Sequence, residues 1–166
     1  MEESPYLKAH ASLRQKFEAL PLIGSLPTAE QRLVIEASKI RRYDANEMII
    51  YEGVYDSWIY ILIQGAVLIE KSGQPLASLD RSGDIFGELC LIDHKTRSAS
   101  AQASSDCVCL AIDTQQLQTT PIDKRDALMA VIYRLFAELL AARLRNANDE
   151  LVGLKQELNW QRGRKM

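Results

Sequence analysis

Gly87, Glu88 and Arg97 are the residues of this chain whose types and spacing could do chemistry together. They fall in Ile85-Phe86-Gly87-Glu88-Leu89-Cys90-Leu91-Ile92-Asp93-His94-Lys95-Thr96-Arg97-Ser98. The stretch reads as an apolar strand end, a glycine turn, one short helical turn and a loop that delivers a lone arginine. A glycine lets backbone approach a ligand closely, and the amides that open a helical turn attract anions. A guanidinium adds charge-assisted bonds to phosphate oxygens, while a carboxylate, which only accepts, suits a sugar hydroxyl. A carboxylate and a guanidinium nine residues apart, around free amides, form a cradle for a sugar phosphate. The structural alternative is that Arg97 pairs with Glu88 or a surface acid.

These residues must be positioned by what surrounds them. From Ile40 onward, short apolar runs occupy Met48–Tyr51, Trp58–Ile63, Ala66–Glu70, Leu76–Leu79, Ile85–Phe86, Ser98–Ala103 and Val108–Ile112. Gly53, Gly65, Gly73-Gln74-Pro75 and Ser82-Gly83-Asp84 punctuate them, which argues for a sandwich or barrel. In Ser98–Ala103, Ser98, Ser100 and Gln102 alternate with three alanines, so one face would meet a pocket beside Arg97 and the other the core. Cys107 and Cys109 lie two apart in a strand and so share a face. Without further Cys or His nearby they read as buried small hydrophobes rather than a metal site.

Ahead of the strands, apolar Leu13, Phe17 and Leu20 predict an amphipathic helix over about 6–20, ended by Pro21 and Gly24. Thr28-Ala29-Glu30-Gln31 has the form of a capping box opening a second helix over about 29–38. Thr114 is a cap candidate for a short helix before Pro121. From Pro121 to Trp160 there is no internal proline and one glycine, Gly153, in a run rich in good helix formers. Within it Leu140, Leu144, Ala147, Leu151, Leu154 and Leu158 are spaced 4, 3, 4, 3, 4. That is an a/d heptad seam, and it predicts self-association as a homodimer. The layout is then 1–120 for strands and N-terminal helices, 121–160 for a long helix, and 161–166 for a basic tail.

Bulk properties narrow the function. Net charge of −2 gives no global case for binding nucleic acid or an anionic membrane. No apolar run reaches bilayer length, and the acidic start, Met1-Glu2-Glu3, is unlike a signal peptide. Three cysteines predict a reduced, cytoplasmic setting. With two histidines, His10 and His94, and no nucleophile beside an identifiable base, an enzyme on a barrel scaffold is disfavoured.

The Gly87–Arg97 segment resembles the phosphate-binding cassette of cyclic nucleotide-binding domains, roughly F-G-E-L-A-L, a short loop, then P-R-A/S/T-A. Phe86, Gly87, Glu88, Leu89, Leu91, Arg97, Ser98 and Ala99 carry the match. It extends upstream through Tyr51-Glu52-Gly53, the run from Trp58 to Gly65, and Ser82-Gly83-Asp84, covering roughly 43–112. The resemblance implies a mainly β fold, a double-stranded β-helix (jelly-roll-like β-roll) with N-terminal helices and a long C-terminal helix. It implies that Phe86, Gly87, Glu88, Leu89, Cys90, Arg97, Ser98 and Ala99 line a cyclic nucleotide site. Arg97 would take the cyclic phosphate and Glu88 the ribose 2′-hydroxyl. By the same likeness Asn148, on the long helix, would touch the base, and cyclic AMP ranks ahead of cyclic GMP.

This sequence departs from the pattern at Thr96, where many members have proline, and at Cys90, where a small residue is usual. Asn46 replaces a common turn glycine, and Asn tolerates left-handed backbone. The implied function is a cytoplasmic sensor whose ligand repositions the long helix to signal to an effector protein. Eight residues follow Leu158, so no DNA-reading domain and no direct DNA binding are expected. The competing reading is a ligand-free dimeric scaffold on the same roll.

Overall fold

A computed structural model describes residues 2–4, 11–89, 92, 95–115 and 121–163. It divides into two units, Met1–Met129 and Ala130–Met166. In the first, strands β1 (Glu2–Ser4), β2 (Ser38–Tyr43), β4 (Trp58–Gln64), β7 (Ile85–Phe86) and β9 (Cys107–Asp113) form a five-stranded sheet in the order β1-β2-β9-β4-β7. Strands β3 (Met48–Ile50), β5 (Val67–Lys71), β6 (Gln74–Leu79) and β8 (Ser100–Ala103) form a second sheet, β3-β8-β5-β6. Every pairing is antiparallel. The fold is therefore mainly β, a β-roll with short N-terminal helices and a long C-terminal one.

One face of the larger sheet carries Tyr43, Tyr60, Leu62, Phe86, Cys107, Cys109 and Ala111. These pack with Ile50, Val67, Ala101 and Ala103 of the smaller sheet to form the core. The opposite face buries Ile40, Ile59, Ile61, Ile85, Leu110 and Ile112. Strands β4 and β9 are thus covered on both sides, which is why each reads as an unbroken apolar run. Cys107 and Cys109 share the inner face and are buried, as their spacing requires. A hydrogen bond between the thiols holds Cys107 below the ordinary thiol range and, with burial, Cys109 well above it.

Tyr43 and Tyr60 meet edge to face at 6.4 Å in this core, and Tyr60 stacks on Phe86 at 5.1 Å. Burial, reinforced by the Tyr60 ring beside it, pushes the Tyr43 hydroxyl far above the usual phenol range. Burial also raises Tyr60, against the opposing pull of its bond to Tyr43 and of Arg41.

Three local expectations are corrected. The N-terminal helical segment is broken: α1 (Ala11–Glu18) is followed by α2 (Pro21–Gly24), so Pro21 opens a turn of helix instead of ending one. The capping box does not form. Helix α3 (Thr28–Glu36) has Pro27 at its N-cap with no side-chain cap bond, one residue earlier than the motif demands. Gln31 turns away and donates to the carbonyls of Ile23 (3.2 Å) and Leu26 (3.0 Å). The strand expected over 98–103 begins only at Ser100, because Arg97 pairs with the loop at Gly53 and Val54. The short helix expected before Pro121 lies outside the described residues. Thr114, its candidate cap, donates its hydroxyl to the Ser57 carbonyl at 2.9 Å.

Asn46 has φ +69°, the left-handed turn its residue type allowed. Gly65 is under tighter constraint. At φ +96°, a Cβ there would fall 2.4 Å from the Asp106 carbonyl oxygen and 2.5 Å from Cys107 Cβ. The β4–β5 turn closes directly on the turn between β8 and β9. The second unit is the greater part of α4 (Ile122–Gly163). Its buried side chains, Val131, Ile132, Leu135 and Phe136, all precede Ala137, whereas Leu144, Val152 and Leu154 beyond it are exposed. Among the described residues no helix is long and apolar enough to cross a membrane.

Two predictions follow from the packing. Gly65→Ala should lower unfolding free energy by about 2–4 kcal/mol in urea titrations, since it adds both backbone strain and backbone overlap. Gly53→Ala, with φ +77° but nothing within 4 Å, should cost only about 1–2 kcal/mol. Equal losses would contradict the close approach at Gly65. As for the tyrosines, their raised native pKa means the unfolded chain releases protons that the folded one keeps. Stability from this source is therefore complete below about pH 10 and falls as pH climbs beyond it. Tyr43→Phe should flatten that alkaline decline in denaturation midpoints measured from about pH 9 to 11.

Candidate functional site

The site is built where three backbone segments converge: the β3–β4 loop, the end of β7 and the approach to β8. Arg97 is held by its main chain first. Its N–H donates to the Val54 carbonyl at 2.9 Å and its carbonyl accepts from Gly53 N–H at 2.9 Å. Glu52 N–H donates to the Ser100 hydroxyl at 3.0 Å, extending the same pairing. A left-handed Gly53 (φ +77°) permits the loop to turn back this tightly.

The Arg97 side chain is almost wholly buried and points at the end of β7. Its Nε donates to Asp56 Oδ2 at 2.9 Å, and its Nη2 donates to both Asp56 Oδ1 and the Trp58 carbonyl. Its Nη1 donates to the Gly87 carbonyl at 2.5 Å. Asp56 Oδ1 also accepts from Trp58 N–H at 2.9 Å, fixing the carboxylate from its own backbone. The result is a forked ion pair flanked by two backbone carbonyls, its guanidinium buried and its carboxylate partly open to solvent.

A side chain at Gly87 would be strained and would push against Arg97. The glycine φ is +79°, and a Cβ would lie 2.7 Å from Arg97 Nη1 and 3.1 Å from both the Trp58 carbonyl and Ile50 Cδ1. Phe86 is buried and stacked on Tyr60, and Glu88 is buried at 2 % exposure. Leu89 is in helical conformation and exposed, Ser98 is exposed and Ala99 half-buried. Cys90 lies outside the described residues. Asn148 is an exposed position on α4, in the second unit.

Next to this cluster, Arg41 is buried with its guanidinium carbon 3.5 Å from the centre of the Trp58 ring. Its Nη1 donates to the Tyr60 hydroxyl at 3.0 Å. Lys39 approaches the same indole at 5.3 Å.

Spacing alone missed Asp56 and Arg41. Asp56 was legible in principle as a single acid in the polar step Asp56-Ser57 before an apolar strand. Arg41 carried a different signal, a cation that strand alternation assigns to the same inward face as Tyr43. Ser100 and Gln102, half-buried and alternating with the buried Ala101 and Ala103, each tie down a turn. Ser100 accepts from Glu52, and Gln102 Nε2 donates to the Asn46 carbonyl at 2.9 Å.

Chemically, the arrangement offers a fixed guanidinium fork beside a glycine and a buried carboxylate. Phosphate oxygens fit such a fork as well as a carboxylate does. Among the described residues no group of Cys, His, Asp and Glu could hold a metal ion.

Comparison with known proteins agrees with this geometry. Residues 40–120 match the family model described as "Cyclic nucleotide-binding domain". The chain is 37% identical over 90 residues to the cAMP-dependent protein kinase regulatory subunit of Aspergillus fumigatus, covering 54% of this chain and 22% of that protein. It is 33% identical over 141 residues to the Cyclic AMP receptor protein of Thermus thermophilus, covering 79% of this chain and 60% of the relative. The crystal structure of the Thermus thermophilus Catabolite Activator Protein superposes with a TM-score of 0.65 at 31% identity, over 81% of this chain and 63% of that one. The chain thus spans between about a fifth and three fifths of the length of these relatives. A roll of two antiparallel sheets, an arginine clamped against a left-handed glycine, and a matching segment of 81 residues agree: residues 40–120 of this chain match the cyclic nucleotide-binding domain family.

Proposed function

We propose that this protein is a cytoplasmic regulatory sensor that binds a cyclic nucleotide and relays its occupancy through the C-terminal helix to a partner protein. The observation that carries the reading is the buried, backbone-anchored Arg97 guanidinium, aimed at Gly87, the residue directly before a buried Glu88. In this reading Arg97 takes the cyclic phosphate, together with the backbone at Gly87 and Leu89, and Glu88 takes the ribose 2′-hydroxyl. Phe86, Cys90, Ser98 and Ala99 complete the lining, and Asn148 contacts the base. Cyclic AMP ranks ahead of cyclic GMP in this reading, which two relatives named for cyclic AMP support, although cGMP-dependent protein kinase 2 of Homo sapiens is similar at 32% identity as well.

The ligand acts by population shift: two dispositions of the segment 121–160 exist, and the nucleotide must bind one more tightly than the other. The same segment dimerises through the seam Leu140, Leu144, Ala147, Leu151, Leu154 and Leu158. The exposure of Leu144 (63 %), Leu151 (49 %) and Leu154 (58 %) supports this, since three leucines on one stripe call for a cover. With Leu144 and Leu151 at a positions, Glu150 and Lys155 fall at g and e, the arrangement that pairs opposite charges between parallel helices.

One observation favours a second reading. Arg97 already carries Asp56 and two carbonyls, so a phosphate must compete with acceptors in place. A ligand-free dimeric scaffold on this roll would keep that set permanently.

Calorimetry against cyclic AMP, cyclic GMP and cyclic dinucleotides decides between the two. The sensor reading expects tight binding of one nucleotide, weakened about 10- to 100-fold in Arg97→Ala, the equivalent of one charge-assisted hydrogen bond set. Gly87→Ala should lose binding as well, because its new methyl displaces Arg97. A ligand at about a hundred times its Kd should also add ~2.7 kcal/mol to stability, whereas a scaffold shows no shift. For the seam, sedimentation of a Leu144→Asp, Leu151→Asp double variant should give a monomer. A dimer that survives both changes would place the interface elsewhere.

A further inference from the structure

The buried arginine of β2, Arg41, has no role in the cassette, yet it touches both walls against which Arg97 is set. One contact is the guanidinium over the Trp58 indole at 3.5 Å. At that separation the guanidinium is in direct contact with the ring, and a cation this deeply buried gains more from an aromatic face than an exposed one. The main chain of Trp58 is the hub of the Arg97 cluster: its N–H orients Asp56, and its carbonyl accepts from Arg97. The other contact is the 3.0 Å hydrogen bond from Arg41 Nη1 to the Tyr60 hydroxyl. Tyr60 stacks on Phe86 with an interplanar angle of 13°, and Phe86 immediately precedes Gly87, whose carbonyl receives Arg97 Nη1.

The sheet explains how one side chain reaches both. Arg41 lies on β2, with β9 between it and β4, and its register partner there is Cys109. The next inward residue of β9 is Ala111, paired with Lys39 on one side and Tyr60 on the other. A methyl side chain at that point leaves the guanidinium room to cross the strand.

We propose that Arg41 is a positioning residue for Arg97: it clamps Trp58 and Tyr60 together and so fixes the two carbonyls and the carboxylate that orient the cassette arginine. Its consequence for ligand affinity rests on the sensor reading above, while its consequence for Arg97 does not. A merely structural Arg41 would stabilise the sheet without bearing on where the Arg97 guanidinium points.

The test reads Arg97 directly in the nitrogen-15-labelled full chain. The Arg97 Nε–H signal, identified by its loss in Arg97→Lys, reports the bond to Asp56. In Arg41→Met it should move toward the position of a solvated arginine and exchange with water about tenfold faster or more, as loss of one hydrogen bond's protection implies. Arg41→Lys, which keeps the charge but not the planar stack, should recover only part of the shift. Tyr60→Phe keeps the Phe86 stack and should move the signal in the same direction by less. Ile112→Val, buried on the opposite face of the sheet, should lower stability and leave the signal where it was. If the parent binds cyclic AMP, Arg41→Met should weaken that binding about tenfold. A parent that binds no nucleotide overturns the sensor reading, and the Arg97 signal still decides this proposal. If Arg41→Met does not fold, Tyr60→Phe decides it. An Arg97 signal unmoved by the loss of Arg41, or by Tyr60→Phe where that variant must stand in, overturns the proposal.

Discussion

Everything at this site depends on a guanidinium that has been taken out of water and given acceptors in one plane. A buried arginine without partners would be prohibitively unfavourable, and one with flexible partners would have no fixed direction. Here Asp56 supplies the compensating charge, while the carbonyls of Trp58 and Gly87 supply direction. Because two of the acceptors are main chain, the arginine's orientation is inherited from the sheet itself. The sheet in turn is specified by the double-sided burial of β4 and β9, which leaves little freedom of register.

The β-roll was largely legible in the sequence because its cues are local. Short apolar runs and glycines at the turns locate β3 to β9 to within a residue or two, whereas β2, whose Lys39, Arg41 and Arg42 break up any apolar run, was not among the expected strands. The cysteine pair and Asn46 were equally plain, since their behaviour follows from strand alternation and from residue type. The motif marked Gly87 and Arg97 as residues to watch, and the structure adds that the Gly87 carbonyl accepts from the Arg97 guanidinium.

What escaped was set by partners distant in sequence. Asp56 stands 41 positions from Arg97. Nothing in the local pattern around either residue names the other, and the notion that Arg97 might meet Glu88 drew on proximity in the chain. Arg41 escaped for the same reason, being paired with a tyrosine 19 positions away. The capping box failed differently: the motif was present, but the helix started one residue earlier than it required, and tertiary contacts of Gln31 outweighed the local cap. A strand at the extreme N-terminus, β1, carried no pattern long enough to recognise.

The placement of Trp58 has an optical corollary. The chain contains two tryptophans, and their surroundings could hardly differ more. Trp160 is 61 % exposed on the long helix, whereas Trp58 is half-buried beneath a guanidinium, and its main chain bonds both Asp56 and Arg97. An indole whose excited state has a cation pressed on its face emits differently from one facing water. With Trp160 replaced, the colour and lifetime of the remaining emission become a built-in gauge of the arginine cluster, needing no attached dye.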